Sequence, residues 1–223
     1  MIIDLNGLPG SGKSTVVNDF TQSNQQFELK GTEEFIKLSK LQKISLLRLL
    51  IDTKNRKFFY LIGKLGKKNT STTRGIGSYE RLIARLYSLY VFQLIQESQV
   101  EKKNYIFDEG IIQSLVPITL GFELDIEVLK KISELLVSID FLFVHCEISE
   151  TESFSRIVKR NRQSAAMDFF TNNELQTFLQ TYALRLSEIR EILCRKDHGN
   201  LWLDMQENPV FLSKQIEMVL KND

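Results

Sequence analysis

Eight residues near the N-terminus have the types and the spacing to hold phosphate. Gly7-Leu8-Pro9-Gly10-Ser11-Gly12-Lys13-Ser14 is a full match to G-x-x-x-x-G-K-[ST]. Glycines let the backbone come close to an anion where a Cβ would block it. Successive N–H groups then turn inward as an anion nest, and a helix opening near Lys13 adds its positive end. On this reading Gly7, Gly10, Ser11 and Gly12 shape the nest. Lys13 reaches the β- and γ-phosphates, Ser14 offers a hydroxyl to Mg²⁺, and Thr15 lies near the α-phosphate.

A triphosphate site also needs a carboxylate at the end of a neighbouring strand, to hold Mg²⁺ through water or to take the proton of an attacking hydroxyl. Asp108, closing Asn104-Tyr105-Ile106-Phe107-Asp108, is the candidate for both roles, and capping the next segment is its structural alternative. Glu109 follows it and is expected on the other side of the strand. Glu33 and Glu34 are either a base on the acceptor side or first-turn partners of a helix dipole. Arg156 and Arg160 stand four apart, so they share a helix face that either brackets phosphate oxygens or is a solvated basic face.

These residues need strands and helices to carry them. Residues 1–6 read as a strand, the segment from Lys13 as a helix, and 27–31 as a second, weaker strand. Helical spacing runs from about Glu33 to Leu50 and again from about Ser78 to Glu101. Strands follow at 104–108, 139–146 and 200–204, with helices at 150–162, 172–195 and 209–221. Strands alternating with helices predict an α/β fold whose parallel sheet is covered on both faces. Between them, residues 63–78 collect Gly, Lys, Thr and Ser and read as a loop. Lys64, Lys67, Lys68 and Arg74 make it basic, to close over an anionic acceptor, to clasp a polymer, or simply to face solvent. Asp4 is a carboxylate on a buried strand and requires a partner. His145, Cys146 and Trp202 read as core, with stacking on a nucleotide base as the other role open to Trp202.

The bulk numbers bound the partners. The 223 residues suit one domain, and a hydrophobic fraction of 43% supports a sizeable core. A net charge of +1 predicts no strong steering toward nucleic acid or membrane. No apolar run reaches the roughly 20 residues a membrane span requires. Two cysteines far apart and no secretory signal predict reduced thiols and a cytoplasmic location. A homodimer stays open.

Gly7–Ser14, the strand ending in Asp108, the RIVKRNR segment after a buried strand, and a closing strand–helix resemble, in that order, the P-loop nucleoside and nucleotide kinases, with thymidylate kinase and the deoxynucleoside kinases most similar. The resemblance implies a three-layer P-loop NTPase fold with a mainly parallel five-stranded sheet and a helical lid, in one domain over 1–223. A helical acceptor-side region would span about 33–103 and an arginine-bearing lid about 150–172. It implies ATP and Mg²⁺ as cofactors. Lys13, Asp108, Arg156 and Arg160 would be the catalytic set, with Ser14 and Asp108 at the metal, and Arg162 would join the lid arginines. The stretch around Glu207–Val210 would receive adenine. In that family an arginine commonly follows the acidic residue, whereas here Glu109 does. A small-molecule acceptor, nucleoside- or nucleotide-like, is the leading expectation. A partner-driven ATPase or switch, and a kinase of a sugar or polymer-borne hydroxyl, are the alternatives.

Overall fold

The computed structural model describes residues 1–66, 78–160, 166–194 and 198–222. Five strands, β1 (Ile2–Gly7), β2 (Phe27–Lys30), β3 (Asn104–Phe107), β4 (Phe141–Glu147) and β5 (Gly199–Asp204), form one sheet in the order β2-β3-β1-β4-β5, with every pairing parallel. Every residue of β1 is buried, as expected of a central strand covered on both sides.

Alternate side chains feed the two faces. Ile3, Leu5, Ile106, Leu142, Val144 and Leu203 pack with Val16, Val17 and Phe20 of α1 (Lys13–Ser23) and with Leu212 and Ile216 of α10 (Pro209–Asn222). Ile2, Tyr105, Phe107, Phe141 and Phe143 face the opposite layer. That layer holds α5 (Ser78–Glu101), α6 (Ile111–Thr119) and α9 (Asn172–Leu193), with α4 (Thr53–Lys64) and α7 (Ile126–Glu134) packed on them. The result is the α/β three-layer P-loop fold with a five-stranded parallel sheet.

The expected helix over 33–50 is three short elements instead: α2 (Thr32–Lys37), α3 (Lys40–Ser45) and a 3-10 segment, Leu46–Ile51. Leu38 is extended, and Ser39 starts α3 afresh with a capping box to Gln42. Asp52 caps α4 by accepting from the Asn55 amide. Trp202 is not core: it is 58% exposed, because β5 is an edge strand. The expected boundaries shift by a residue or two elsewhere, and β3 ends at Phe107, leaving Asp108 just beyond the sheet. Most of the basic loop, with Lys67, Lys68 and Arg74, lies outside the described residues, as does Arg162 of the lid. No helix among the described residues is long and apolar enough to cross a membrane.

Candidate active site

Gly7–Ser14 occupies the carboxyl end of the central strand, where the sheet order turns about β1. Open α/β sheets bind ligands at such a point. Two close approaches explain its residue types. A Cβ on Gly7 would come within 2.5 Å of the Cys146 carbonyl oxygen, so only glycine lets β1 leave the sheet beside β4. Gly10 and Gly12 have φ of 77° and 100°, the left-handed region. Among the described residues no carbonyl accepts from the amides of Gly12, Lys13 or Ser14. These are orphan donors at the start of α1, and they meet the demand of a phosphate nest.

Lys13 is buried, and its Nζ donates to the carbonyls of Gly7 and Leu8, each at 3.1 Å, and to Ser11 Oγ at 3.3 Å. Burial pushes its pKa down, while the negative charges of Glu109 and Asp108 work against that shift. The ammonium therefore sits inside the loop on the loop's own carbonyls, within reach of the charges of Glu109 and Asp108.

Asp108 and Glu109 divide the space beyond β3. Burial, and secondarily the charge of Glu109, raise the Asp108 carboxyl to about 6, with Lys13 pulling it back. Gly31 at the end of β2 is what admits it: φ there is 147°, and a Cβ would lie 2.4 Å from Asp108 Oδ1. Glu109 does not point away from the site. Its Oε2 accepts from Thr32 Oγ1 at 2.8 Å, and its carbonyl accepts from the Tyr87 hydroxyl. Glu109 thereby links β3, the N-terminus of α2 and the middle of α5.

The acceptor-side glutamates are placed differently. Glu33 is solvent-exposed and pairs with Lys37 at 3.6 Å. Glu34 accepts from Tyr90 at 2.8 Å and from Lys30 at 3.1 Å. Both act as first-turn partners on α2.

Arg156 lies on α8 (Glu150–Arg160) and reaches the loop from the other side. Its Nη1 donates to the Ser11 carbonyl at 3.1 Å, Nη2 to the Met205 carbonyl at 2.9 Å, and Nε to Glu152 at 2.9 Å. One guanidinium thus ties the phosphate loop to the turn after β5. Ser153 on the same helix donates to the Pro9 carbonyl at 2.6 Å. Arg160 closes α8 one turn later. Between α8, the loop and the turn is a cleft of about 220 Å³, lined by Ser11, Gly12, Thr15, Arg156, Glu207 and Pro209. A larger cleft of about 800 Å³ lies over β4–β5 beside α9, lined by His145, Arg190 and Trp202. Neither cleft is lined by Lys13 or Asp108; the smaller one borders the loop at Ser11, Gly12 and Thr15, and the larger one touches it only at Leu8.

Several supports gave no signal in the sequence. Gln113 on α6 accepts from the Gly7 amide at 3.1 Å and donates to Tyr182 on α9. Arg190 on α9 donates to Asn6 Oδ1 and to Glu147, each at 2.6 Å. These bonds fix the strand from which the loop springs, and their partners stand 43 to 184 residues apart. Asp4 finds its partner in the Ile111 amide, at 2.6 Å from Oδ2, at the N-terminus of α6. His145 is held between Asn6 and Asn200, 3.0 Å from each, and burial lowers its pKa to about 4. The Cys146 thiol is buried and pushed up to about 12, which makes it inert.

Residues 2–184 match the model of the AAA domain family AAA_33. The chain belongs to this family. Its fold is similar to that of deoxyadenosine kinase from M. mycoides solved with bound dATP: TM-score 0.56, 13% identity, covering 99% of this chain and 100% of the other. The same kinase with the products dCMP and a flexible dCDP gives a TM-score of 0.53 at 16% identity, with both chains fully covered. At such identity the likeness concerns the fold, a P-loop nucleoside- and nucleotide-kinase-like fold. No curated protein sequence matches the chain.

Proposed function

We propose that this protein is an ATP- and Mg²⁺-dependent kinase that moves the γ-phosphoryl group to a hydroxyl of a small, nucleoside-like acceptor. The observation that supports the reading most is the glycine-shaped loop at the carboxyl end of the central strand, with buried Lys13 inside it and the amides of Gly12, Lys13 and Ser14 without backbone acceptors among the described residues. The loop amides and Lys13 hold the β- and γ-phosphates, and the cleft between Arg156 and Pro209 takes the adenosine end. Arg156 and Arg160 add positive charge on the lid side. Asp108, at about 6, is poised near neutrality and accepts the proton of the acceptor hydroxyl as its oxygen bonds to the γ-phosphorus and ADP departs.

The oxygen donors of Ser14 and Asp108 fit Mg²⁺. Among the described residues no group of three or more His, Cys, Asp or Glu side chains gathers to hold a metal alone, and Mg²⁺ in kinases commonly draws its remaining ligands from phosphate and water. When bound, the ion supplies neutralisation of the charge between the β- and γ-phosphates.

Glu109 favours a hydroxyl acceptor over a phosphate acceptor. It places a second negative charge where an anionic acceptor requires a positive one, and like charges repel across a desolvated site. ATP turnover by the purified chain, alone and with a panel of nucleosides, nucleoside monophosphates and sugars, tests this. Acceptor-dependent ADP formation with nucleosides is expected. Turnover without any acceptor, stimulated only by a partner protein, would instead assign the site to a switch.

A further inference from the structure

The near-zero net charge conceals a segregated surface. From Ile36 to Lys57 the chain carries Lys37, Lys40, Lys43, Arg48, Lys54, Arg56 and Lys57 against the single acid Asp52, a net +6 within 22 residues. The whole chain is +1, so the remainder is −5. All of these basic residues except Lys43 are exposed.

The same segment has an unusual apolar face. Neither α3 nor the following 3-10 segment buries a single residue fully. The segment rests on the core through Leu38 before α3 and through Leu46, Leu49 and Leu50 of the 3-10 segment. Leu41, Ile44, Leu47 and Ile51 are turned outward. Leu41 at 80% and Ile51 at 87% exposure rank, with Val100, as the three most exposed large apolar side chains among the described residues, and Ile36 on the adjoining α2 is 64% exposed. Lys43 joins α2 to α3 by donating to the Ile36 carbonyl at 3.4 Å. Core-facing leucines on one side, with protruding aliphatic groups among lysines and arginines on the other, are the make-up of an element that lies in a membrane interface.

We propose that Ile36–Lys57 docks the protein peripherally on an anionic lipid surface, with Leu41, Ile44 and Ile51 inserted among the acyl chains and the basic residues on the headgroups. Charge selects this occupant over the others. A second copy paired symmetrically through the patch would set +6 against +6. Single-stranded nucleic acid would want aromatic platforms, and the outward apolar groups of this segment are aliphatic. Anionic headgroups over an apolar layer satisfy both features at once. The proposal is independent of what the phosphate site transfers.

The test is sedimentation of the full chain with vesicles of phosphatidylcholine alone and of phosphatidylcholine with about one third phosphatidylglycerol. Binding to the anionic vesicles only, released at about 0.5 M salt, is expected. The double variant Leu41→Asp, Ile51→Asp should lower the vesicle-bound fraction about tenfold, while its nucleotide binding and thermal midpoint match the parent. Lys40→Glu with Arg48→Glu should do the same, with the apolar groups intact. Equal binding to neutral vesicles, no vesicle binding, or binding untouched by either variant would overturn the proposal. So would a concentration-dependent dimer in sedimentation velocity that the Leu41 and Ile51 changes abolish, since that would give the face to a second copy.

Discussion

At Asp108 a carboxylate is held just past the end of β3, with Lys13 on one side and Glu109 next to it, and each neighbour acts on its proton in the opposite sense. Asp108 and Lys13 stand out in the sequence because each belongs to a recognisable pattern, a strand end and a Gly-rich loop. Glu109 departs from its expected side, because strand alternation does not extend past Phe107, where the strand stops. Thr32 and Tyr87, which hold Glu109, were hidden in a turn and in the middle of an amphipathic helix. Glu33 drew notice by composition alone and faces solvent. A pH dependence follows. Asp108 must be ionised to take a proton, so kcat/KM should fall as pH drops through about 6. The charge of Glu109 raises that value. In Glu109→Gln the acidic limb should therefore move to lower pH, which a pH–rate profile of the two proteins checks. A limb that stays in place or moves up would remove Asp108 from the role of base.

Elements deliver these residues through contacts that one-dimensional patterns do not carry. The helical period between 33 and 64 was partly visible, but its breaks depend on Ser39 and Asp52 as caps, and short polar residues inside an apolar run are weak punctuation. Helix α6 was not anticipated. It starts directly after the Asp108-Glu109-Gly110 corner, and its orientation is fixed by Asp4, which receives the Ile111 amide. Gly110 makes that contact possible, because a Cβ there would lie 2.3 Å from the Asp4 carboxyl. Gly110→Ala should cost about 2 kcal/mol in a urea titration, by forcing the buried Asp4 carboxylate away from the backbone amides at the start of α6. Asp4 also gives stability a sign with pH. Burial raises its folded pKa from 3.8 to about 7, so the folded chain holds a proton that the unfolded chain releases. Its contribution is fully present below about pH 4 and is lost as pH rises to about 7. Asp4→Asn should flatten that part of the stability–pH curve.

For the whole molecule, the five strands and the α/β class were legible because parallel strands buried on both faces are continuous apolar runs separated by helical periods, whereas the order of the strands in the sheet was not. A further exception was Trp202, where an apolar side chain on the last strand belongs to an edge that no strand covers. The near-zero net charge at this scale is the sum of one basic segment and an acidic remainder. What unites the scales is the anchoring of the phosphate loop from three directions: Gln113 and Arg190 beneath its strand, Arg156 and Ser153 from α8, and Lys13 from within. On the proposed function, ATP held by this loop gives up its γ-phosphoryl group to an acceptor hydroxyl. That transfer is tested most directly by following γ-labelled ATP with the acceptor that the panel identifies, comparing the parent with Lys13→Ala after urea titration has shown the variant to be folded. Label passing to the acceptor hydroxyl in the parent, with a rate lower by at least about 10²-fold in Lys13→Ala, is the result predicted. Undiminished transfer by the folded variant would contradict it.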